Sequence, residues 1–156
     1  MRNTRKSKDK MKKNKSIKNN FLKDASFFEK EVTKIFLEML IMIKLFHWNT
    51  HSYAQHKATD KLYSSFNDHM DKFIEVLLGK VGNRVPFSTS QSIKMYDFKS
   101  KEKLIKKINW FKGYLVEMHS HTFFNKFPKM KNFDLLNIRD EILADMNQFL
   151  YLLSLN

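Results

Sequence analysis

The chain has 156 residues, 42% of them hydrophobic, which fits one domain with a buried core. It contains no cysteine, and this excludes disulfides, thiolate metal sites, iron–sulfur clusters and thiol catalysis within it. Only 3 glycines and 2 prolines interrupt it, so a few long helices are favoured over many strands and turns. The formal net charge is +13, and it is unevenly distributed.

Most of that charge lies in residues 1–20, where nine Lys and Arg side chains stand against one Asp for a net +8. This segment has almost nothing apolar to bury, so residues 1–22 are predicted to be a disordered basic tail and 23–156 one folded domain. It lacks the apolar run of a secretory signal, so secretion is not expected. Such cations neutralise phosphates without reading bases, which predicts sequence-independent DNA binding; a targeting signal or a solubilising tail are the alternatives. The basic residues are Arg2, Arg5, Lys6, Lys8, Lys10, Lys12, Lys13, Lys15 and Lys18.

The first predicted helix follows the tail. Residues 26–29 read as a capping box, with Ser at the N-cap and Glu three positions later. From there apolar residues recur every three or four positions to about Trp48, the pattern of an amphipathic helix. Lys34, Glu38 and Lys44 interrupt its most apolar stretch, so no membrane span is expected.

A second helix is predicted from about residue 53 to residue 78, after a short turn. Gly79 and Gly82 are expected to end it. The two helices then form an antiparallel hairpin, which brings His47 near the start of the second helix.

The second half of the chain predicts two further helices. Residues 80–99 have mixed character, with a short helix predicted around 91–96. A third helix is expected over 100–121, a proline-containing loop over 122–132, and a fourth helix from an Asp134 cap to near the end. Four amphipathic helices with one long connection in the middle describe an all-α, ferritin-like four-helix bundle with the crossover between helices 2 and 3. The third helix has a basic outer face with Lys101, Lys103, Lys106, Lys107 and Lys112.

Four potential metal ligands share one stripe of the second helix at about 100° per residue, namely His56, Asp60, Asp71 and Glu75. Asp60 and Asp71 are roughly 16 Å apart along the axis, too far to bind one ion together. An antiparallel copy related by a two-fold axis would bring the 56/60 end of one chain beside the 71/75 end of the other, with His47 arriving from the preceding helix. Imidazole and carboxylate ligands suit iron, manganese or zinc. The alternative is a solvated polar face.

This spacing resembles the ferroxidase segment of the Dps-type miniferritins, ferritin-like proteins that oxidise iron and coat DNA. That family has His-Trp at the end of the first helix, then a His, an Asp four residues on, another Asp eleven further, and a Glu four beyond that. The same positions here hold His47-Trp48, His56, Asp60, Asp71 and Glu75. The bridge of residues 49–55 is shorter than in that family and lacks its Gly, and in this it resembles small ferritin-like proteins of phages and large DNA viruses.

The resemblance implies a homodimer or larger homo-oligomer that oxidises Fe(II) with O₂ or H₂O₂ and stores the ferric product under oxidative stress. It places the protein in the cytoplasm, in a nucleoid or in a virion, and it implies a short helix in the crossover. It assigns as ligands His47, His56 and Asp60 of one chain with Asp71 and Glu75 of the other. No further catalytic residue is implied except Trp48 as a radical trap, with an interface anchor as the alternative. The competing interpretation is a non-enzymatic basic nucleic-acid-packaging or structural protein on the same scaffold.

Other candidate sites are weaker. Glu117 and His121 are four residues apart on the third helix, a spacing that suits one ion but is more often an exposed pair. His51 and His69 lie near the stripe and are at most auxiliary ligands. The chain has no glycine-rich phosphate loop, and with strands absent from the pattern a doubly wound nucleotide-dependent enzyme is not expected.

Overall fold

Four long helices make up most of the protein. The computed structural model describes residues 3–82, 84–85, 87, 92–125 and 132–155, with side chains from Leu22 onward. The helices are α1 (Asn3–Asn49), α2 (Tyr53–Val81), α3 (Lys101–Glu117), α4 (Thr122–Asn125) and α5 (Phe133–Ser154), with a 3-10 turn at Met118–Ser120. The described residues include no strand, which confirms the all-α prediction with four long helices. Within them, no helix is both long and apolar enough to cross a membrane.

Contacts at the helix ends establish the directions of the helices. His47 at the end of α1 stacks on His56 near the start of α2, so these two helices are antiparallel. The end of α2 meets the start of α5, and the start of α3 meets the end of α5. Both pairs are therefore antiparallel as well, and α2 and α3 run in the same direction.

The connection from α2 to α3 has to return along the bundle because these two helices are parallel. Its described part runs beside α1, where the backbone N–H of Lys94 donates to Glu38 at 3.1 Å. Further on, the side-chain amide of Asn49 donates to Asp97 at 2.9 Å. Residues 92–99 form no helix, so the predicted helix over 91–96 is wrong for its described part; Gln91 lies outside the described residues.

The core is built from the predicted apolar stripes, and Phe36 of α1 lies at its centre. Its ring meets those of Phe66 and Phe73 of α2 and of Phe111 of α3 at centroid distances of 5.3–5.9 Å, all edge-on. These four side chains are fully buried. Burying one such side chain contributes about 1.5–3 kcal/mol, so this cluster contributes strongly to holding α1, α2 and α3 together.

The start of α1 differs from the prediction. The helix begins at Asn3 and passes through Ser26 without a break, so the predicted start at the 26–29 capping box is wrong. Residues 3–22, predicted to be disordered, continue the same helix in their backbone. A capping box contributes only about 1 kcal/mol, and the chain has no Gly or Pro from 3 to 49 to stop a lysine-rich helix. The division into a 1–22 tail and a 23–156 domain stays a prediction.

The ends of α2 and α3 confirm part of the prediction. Gly82 is the C-cap of α2 with φ 76°, whereas Gly79 lies inside the helix and does not end it. Ser100 is the N-cap of α3, and its hydroxyl accepts from the backbone N–H of Lys103 at 3.3 Å. The α-helix ends at Glu117, before the predicted residue 121, and a 3-10 turn follows.

The segment before α5 also departs from the prediction. Part of the predicted loop, Thr122–Asn125, is helical, while Pro128 lies outside the described residues. Asn132 is the N-cap residue of α5, so Asp134 is not the cap. Asp134 lies in the first turn and forms an ion pair with Lys80 of α2 at 2.9 Å. That ion pair, together with the favourable field at a helix N-terminus, accounts for an acid at this position.

Candidate metal-binding site

The end of α1 and the start of α2 bring two imidazole rings into contact. His47 lies in the last turn of α1 and His56 in the first turn of α2, with ring centroids 3.9 Å apart and 26° between the ring planes. Between them, the hydroxyl of Ser52 accepts from the backbone N–H of Gln55 and caps α2. The hydroxyl of Thr50 donates to the side chain of Gln55 at 2.9 Å. This short capped turn places His47 beside the start of α2, as predicted.

Each of the two imidazoles hydrogen-bonds to the backbone of the other residue. Nδ1 of His47 lies 3.1 Å from the carbonyl oxygen of His56, and Nδ1 of His56 lies 3.1 Å from the carbonyl oxygen of His47. A carbonyl oxygen only accepts, so each Nδ1 donates a proton and the neutral rings carry their lone pairs on Nε2. Metal-binding histidines are commonly held in this way, by a hydrogen bond from the nitrogen that does not bind the ion.

Asp60 lies one turn beyond His56, with Oδ1 3.9 Å from Nε2 of His47. The His47 side chain is 9% exposed and that of Asp60 is 57% exposed. Thr59 is buried beside them, with its hydroxyl oxygen 3.4 Å from Nδ1 of His47. The contact between His47 and Asp60 therefore lies at the boundary between the core and solvent, with the imidazole on the buried side and the carboxylate on the exposed side.

The other two candidate ligands are not part of this group. Asp71 and Glu75 are exposed on α2, and Asp71 lies roughly 16 Å beyond Asp60 along the helix axis. In the part of the chain that the structure describes, no three His, Asp or Glu side chains are close enough to bind one ion. A single chain therefore brings His47 into contact with His56 and near Asp60, forms no three-ligand group among the described residues, and leaves the two further acids apart.

Two of the remaining sequence candidates on this side of the protein are exposed, and one is paired. Trp48 is 66% exposed, and His51 is exposed in the turn before α2. His69 is not available as an auxiliary ligand, because α5 holds both of its ring nitrogens. Its Nδ1 lies 2.9 Å from Asp145 and its Nε2 lies 3.5 Å from Glu141. His69 thus links α2 to α5.

The structure pairs His121 with α1 and not with Glu117. Nε2 of His121 lies 3.7 Å from a carboxylate oxygen of Glu31, and its Nδ1 accepts the backbone N–H of Phe123 at 3.1 Å. With the lone pair of Nδ1 in use, the neutral ring carries its proton on Nε2 and has no nitrogen left for an ion. Glu31, His121 and the exposed Glu117 all line one cleft of ≈ 540 Å³. The arrangement therefore counts against an ion between Glu117 and His121.

The basic residues of the predicted DNA-binding arm fall outside the described side chains. The backbone from residue 3 onward belongs to α1. The residues concerned are Arg2, Arg5, Lys6, Lys8, Lys10, Lys12, Lys13, Lys15 and Lys18.

Sequence reasoning missed the burial of Glu29. Glu29, assigned to the capping box, is 1% exposed, and neither of its carboxylate oxygens has a hydrogen-bond partner among the described residues. Burial raises the pKa of this carboxyl above its usual value. The signal was present in the spacing, because position 29 lies three residues before Val32 and seven before Phe36 on the core-facing stripe.

A comparison with protein-family models places most of the folded part of the chain in one family. Residues 47–153, well over half of the chain, match DUF5856, described as a family of unknown function. The chain belongs to the DUF5856 family. The DUF5856 segment begins at His47 and contains all five candidate ligands, while the basic segment 1–20 lies outside it. Neither a curated protein nor a solved structure matches the chain.

Proposed function

We propose that the protein is a Dps-like iron-oxidising and iron-storing protein that works as a homodimer or a larger homo-oligomer. Its substrate, Fe(II), binds between two chains. The ligands are His47, His56 and Asp60 of one chain with Asp71 and Glu75 of the other. The observation that carries the proposal is the reciprocal hydrogen bonding of the two imidazoles, because it fixes both rings in the tautomer that leaves Nε2 free for a cation.

The spacing of the ligands on α2 supports a two-fold arrangement. The pair 56 and 75 has the same midpoint in the sequence as the pair 60 and 71, between residues 65 and 66. When two α2 helices lie antiparallel with the two-fold axis at that midpoint, His56 comes level with the partner's Glu75 and Asp60 with the partner's Asp71. A single two-fold axis therefore aligns both pairs of proposed ligands at once.

The helix topology is a second support. Four-helix bundles with one long crossover are the arrangement of ferritin-like folds. Here the parallel directions of α2 and α3 require such a crossover, and residues 82–100 supply it.

The ligand types fit the proposed chemistry. Imidazole and carboxylate bind Fe(II), and the hard carboxylate oxygens then favour Fe(III). Two Fe(II) ions each give one electron to H₂O₂, which is reduced to two hydroxide ions, and O₂ is the alternative oxidant. Few protein ligands leave coordination positions open for the oxidant. Mn(II) or Zn(II) suit the same ligands, and Zn(II), which has no redox chemistry, is expected to compete with iron.

Two further parts complete the proposal. Trp48 is exposed next to His47, where it is placed to intercept radicals that escape from the site. The basic segment 1–20 binds DNA through phosphate contacts, without reading bases. In an oligomer several such segments act together and raise the overall affinity.

Iron oxidation by purified variants tests the site. Asp71→Asn with Glu75→Gln removes two proposed ligands at nearly constant size, and we expect the rate of Fe(II) oxidation to fall by about tenfold or more. The rate is followed by the absorbance of the ferric product after Fe(II) is added with H₂O₂ or in air. The charge-matched control is Glu117→Gln with Asp140→Asn, which removes two exposed acids from α3 and α5 and should leave the rate unchanged. Equal rates in both double variants would rule out this site.

Deletion of residues 1–20 tests the DNA-binding segment. The described core begins at Ala25, so the truncated chain should fold and retain iron oxidation. Its affinity for duplex DNA in low salt should drop, and the slope of log affinity against log salt should become shallower by several units, because about nine phosphate contacts are lost. A gel-shift titration at several salt concentrations measures both quantities. Unchanged duplex binding in low salt would contradict the proposed role.

A non-enzymatic nucleic-acid-packaging protein is the second candidate. The observation that favours it is the formal net charge of +13, of which +8 lies in residues 1–20, because such a charge attracts nucleic acid. The same experiments separate the two: a packaging protein binds duplex DNA but does not oxidise Fe(II) faster than buffer does.

A further inference from the structure

A basic and aromatic surface lies on the outer side of α3. At about 100° per residue, Lys103, Lys106 and Trp110 fall in one stripe roughly opposite the buried Ile108. All three are exposed, and Lys99, in the last residues of the crossover, is exposed just before the helix begins. We call this the α3 surface and define it as Lys99, Lys103, Lys106, Lys107 and Trp110.

Trp110 is both exposed and held in place. Its side chain is 49% exposed. The ammonium group of Lys107 lies 3.4 Å from the centroid of the Trp110 ring and 4.6 Å from that of Tyr96. The ring of Tyr114 lies 6.2 Å away at 15° to the indole. The ring is thus preorganised by its neighbours and still has open surface.

Few acids oppose the lysines of this surface. Glu102 accepts a hydrogen bond from the Ser100 hydroxyl at 2.8 Å, and Asp97 accepts one from the Asn49 side chain at 2.9 Å. The other acid of α3, Glu117, lies at the far end of the helix. Residues 97–112 hold six lysines against Asp97 and Glu102, a net charge of +4, so the field near the stripe is positive and complementary to phosphate.

We propose that the α3 surface binds single-stranded nucleic acid. A base stacks on Trp110 while Lys99, Lys103 and Lys106 contact the phosphates on either side. Aromatic platforms flanked by cations are the usual means of binding a single strand without sequence preference, because every base has a π-face. This goes beyond the proposed function, in which segment 1–20 binds DNA through phosphates alone. The two activities use separate parts of the chain and can fail separately.

A membrane surface is the competing partner for a basic helix. Membrane-surface helices need an apolar face that enters the acyl region. The apolar face of α3 is buried in the bundle, and its outer stripe offers one indole among lysines. This composition favours a partner that presents both flat rings and phosphates.

Fluorescence of the full-length chain tests the inference. In a Trp48→Phe background Trp110 is the remaining tryptophan, and oligo-dT should quench its emission as a base stacks on it. An oligomer of the same length built of abasic deoxyribose phosphate should bind through segment 1–20 but quench little. The affinity for labelled oligo-dT, measured by fluorescence anisotropy, should fall about tenfold in Trp110→Ala. It should fall about tenfold also in the separate double variant Lys103→Gln with Lys106→Gln.

The control double variant is Lys57→Gln with Lys61→Gln, which removes two exposed lysines from α2 and should leave affinity for oligo-dT within about twofold. Circular dichroism establishes that each variant is folded. Equal quenching by oligo-dT and the abasic oligomer would overturn the inference, as would equal loss of affinity in both lysine variants. Quenching by vesicles of phosphatidylserine and phosphatidylcholine as strong as that by oligo-dT would assign the surface to membranes instead.

Discussion

Two residues of α1 show how differently a polar side chain can be accommodated at the core. His47 is buried, and its Nδ1 donates to the backbone of α2. Glu29 is buried even more completely, yet its oxygens have no hydrogen-bond partner among the described residues. Leaving a buried acceptor unpaired costs about 1–3 kcal/mol, and more when it is charged. Glu29 is therefore expected to reduce stability at neutral pH.

Replacing Glu29 with Gln tests this cost. We expect Glu29→Gln to raise the free energy of unfolding at pH 7 by about 1 kcal/mol, because the charged form is no longer buried. The gain should depend on pH, since burial raises the pKa of the folded-state carboxyl above the ordinary value of 4.5. Below that value the carboxyl is protonated in both states and the gain disappears. As the pH rises, the unfolded wild-type chain ionises first and the gain grows.

Urea unfolding at a series of pH values between 4 and 8 measures the difference between wild type and variant. Glu117→Gln is the matched control, because Glu117 is exposed on α3. A gain that is the same at every pH, or equal in both variants, would contradict burial of an unpartnered Glu29.

At the scale of the helix, the C-terminal turn of α2 contains two glycines with different roles. Gly82 has φ 76°, and its N–H donates to the carbonyl of Leu78 to close the helix. Gly79 lies inside α2 with ordinary helical geometry, and a Cβ built there meets nothing within 4 Å. Only Gly82 needs the conformational freedom of glycine.

The two alanine substitutions should therefore change stability in opposite directions. Gly82→Ala should lower the free energy of unfolding by about 1–2 kcal/mol, because a Cβ disfavours the left-handed conformation. Gly79→Ala should raise it by about 0.5–1 kcal/mol, because alanine loses less conformational entropy in a helix. Urea or thermal unfolding of the pair of variants provides the comparison, each serving as control for the other. A loss of stability in both would show that Gly79 is also required.

At the scale of the whole molecule, the proposed site needs two chains. His47, His56 and Asp60 lie together at one end of α2, whereas Asp71 and Glu75 lie toward the other end. Both groups lie on one continuous helix, which keeps Asp60 and Asp71 roughly 16 Å apart along its axis, so one chain cannot unite them. A partner chain in the opposite direction is the simplest way to complete the site.

Co-expression of two inactive variants tests this sharing directly. One chain carries His56→Ala with Asp60→Ala and the other carries Asp71→Ala with Glu75→Ala. In a mixed dimer one site loses all four side chains and the other keeps them all. The purified mixed dimer should therefore show about half of the wild-type rate of iron oxidation, although neither variant is active alone.

The measurement is the oxidation rate of the purified mixed dimer, separated by two different affinity tags. The matched control pairs each variant with itself under the same two tags. A mixed dimer no faster than these controls would place the five ligands within single chains or remove them from the chemistry.

The sequence by itself determined the number and class of the long helices and most of their buried faces. Phe36 of α1, Phe73 of α2 and Leu115 of α3 each belong to a series of apolar residues at helical spacing. All three are fully buried. This works because an amphipathic helix records in its own period which side faces the core. The Ser100 cap and the Gly82 C-cap were also readable, since both depend only on neighbouring residues.

Only the tertiary structure decided which polar side chains met one another. It stacked His47 on His56 and paired His69 with Asp145 and His121 with Glu31, and it left Glu29 without a hydrogen-bond partner among the described residues. These partners come from different parts of the chain, and their contacts depend on helix directions and rotations that no local pattern encodes. The helix start was misread for a related reason: a local cap signal near Ser26 is weak compared with many residues that all favour continuing α1.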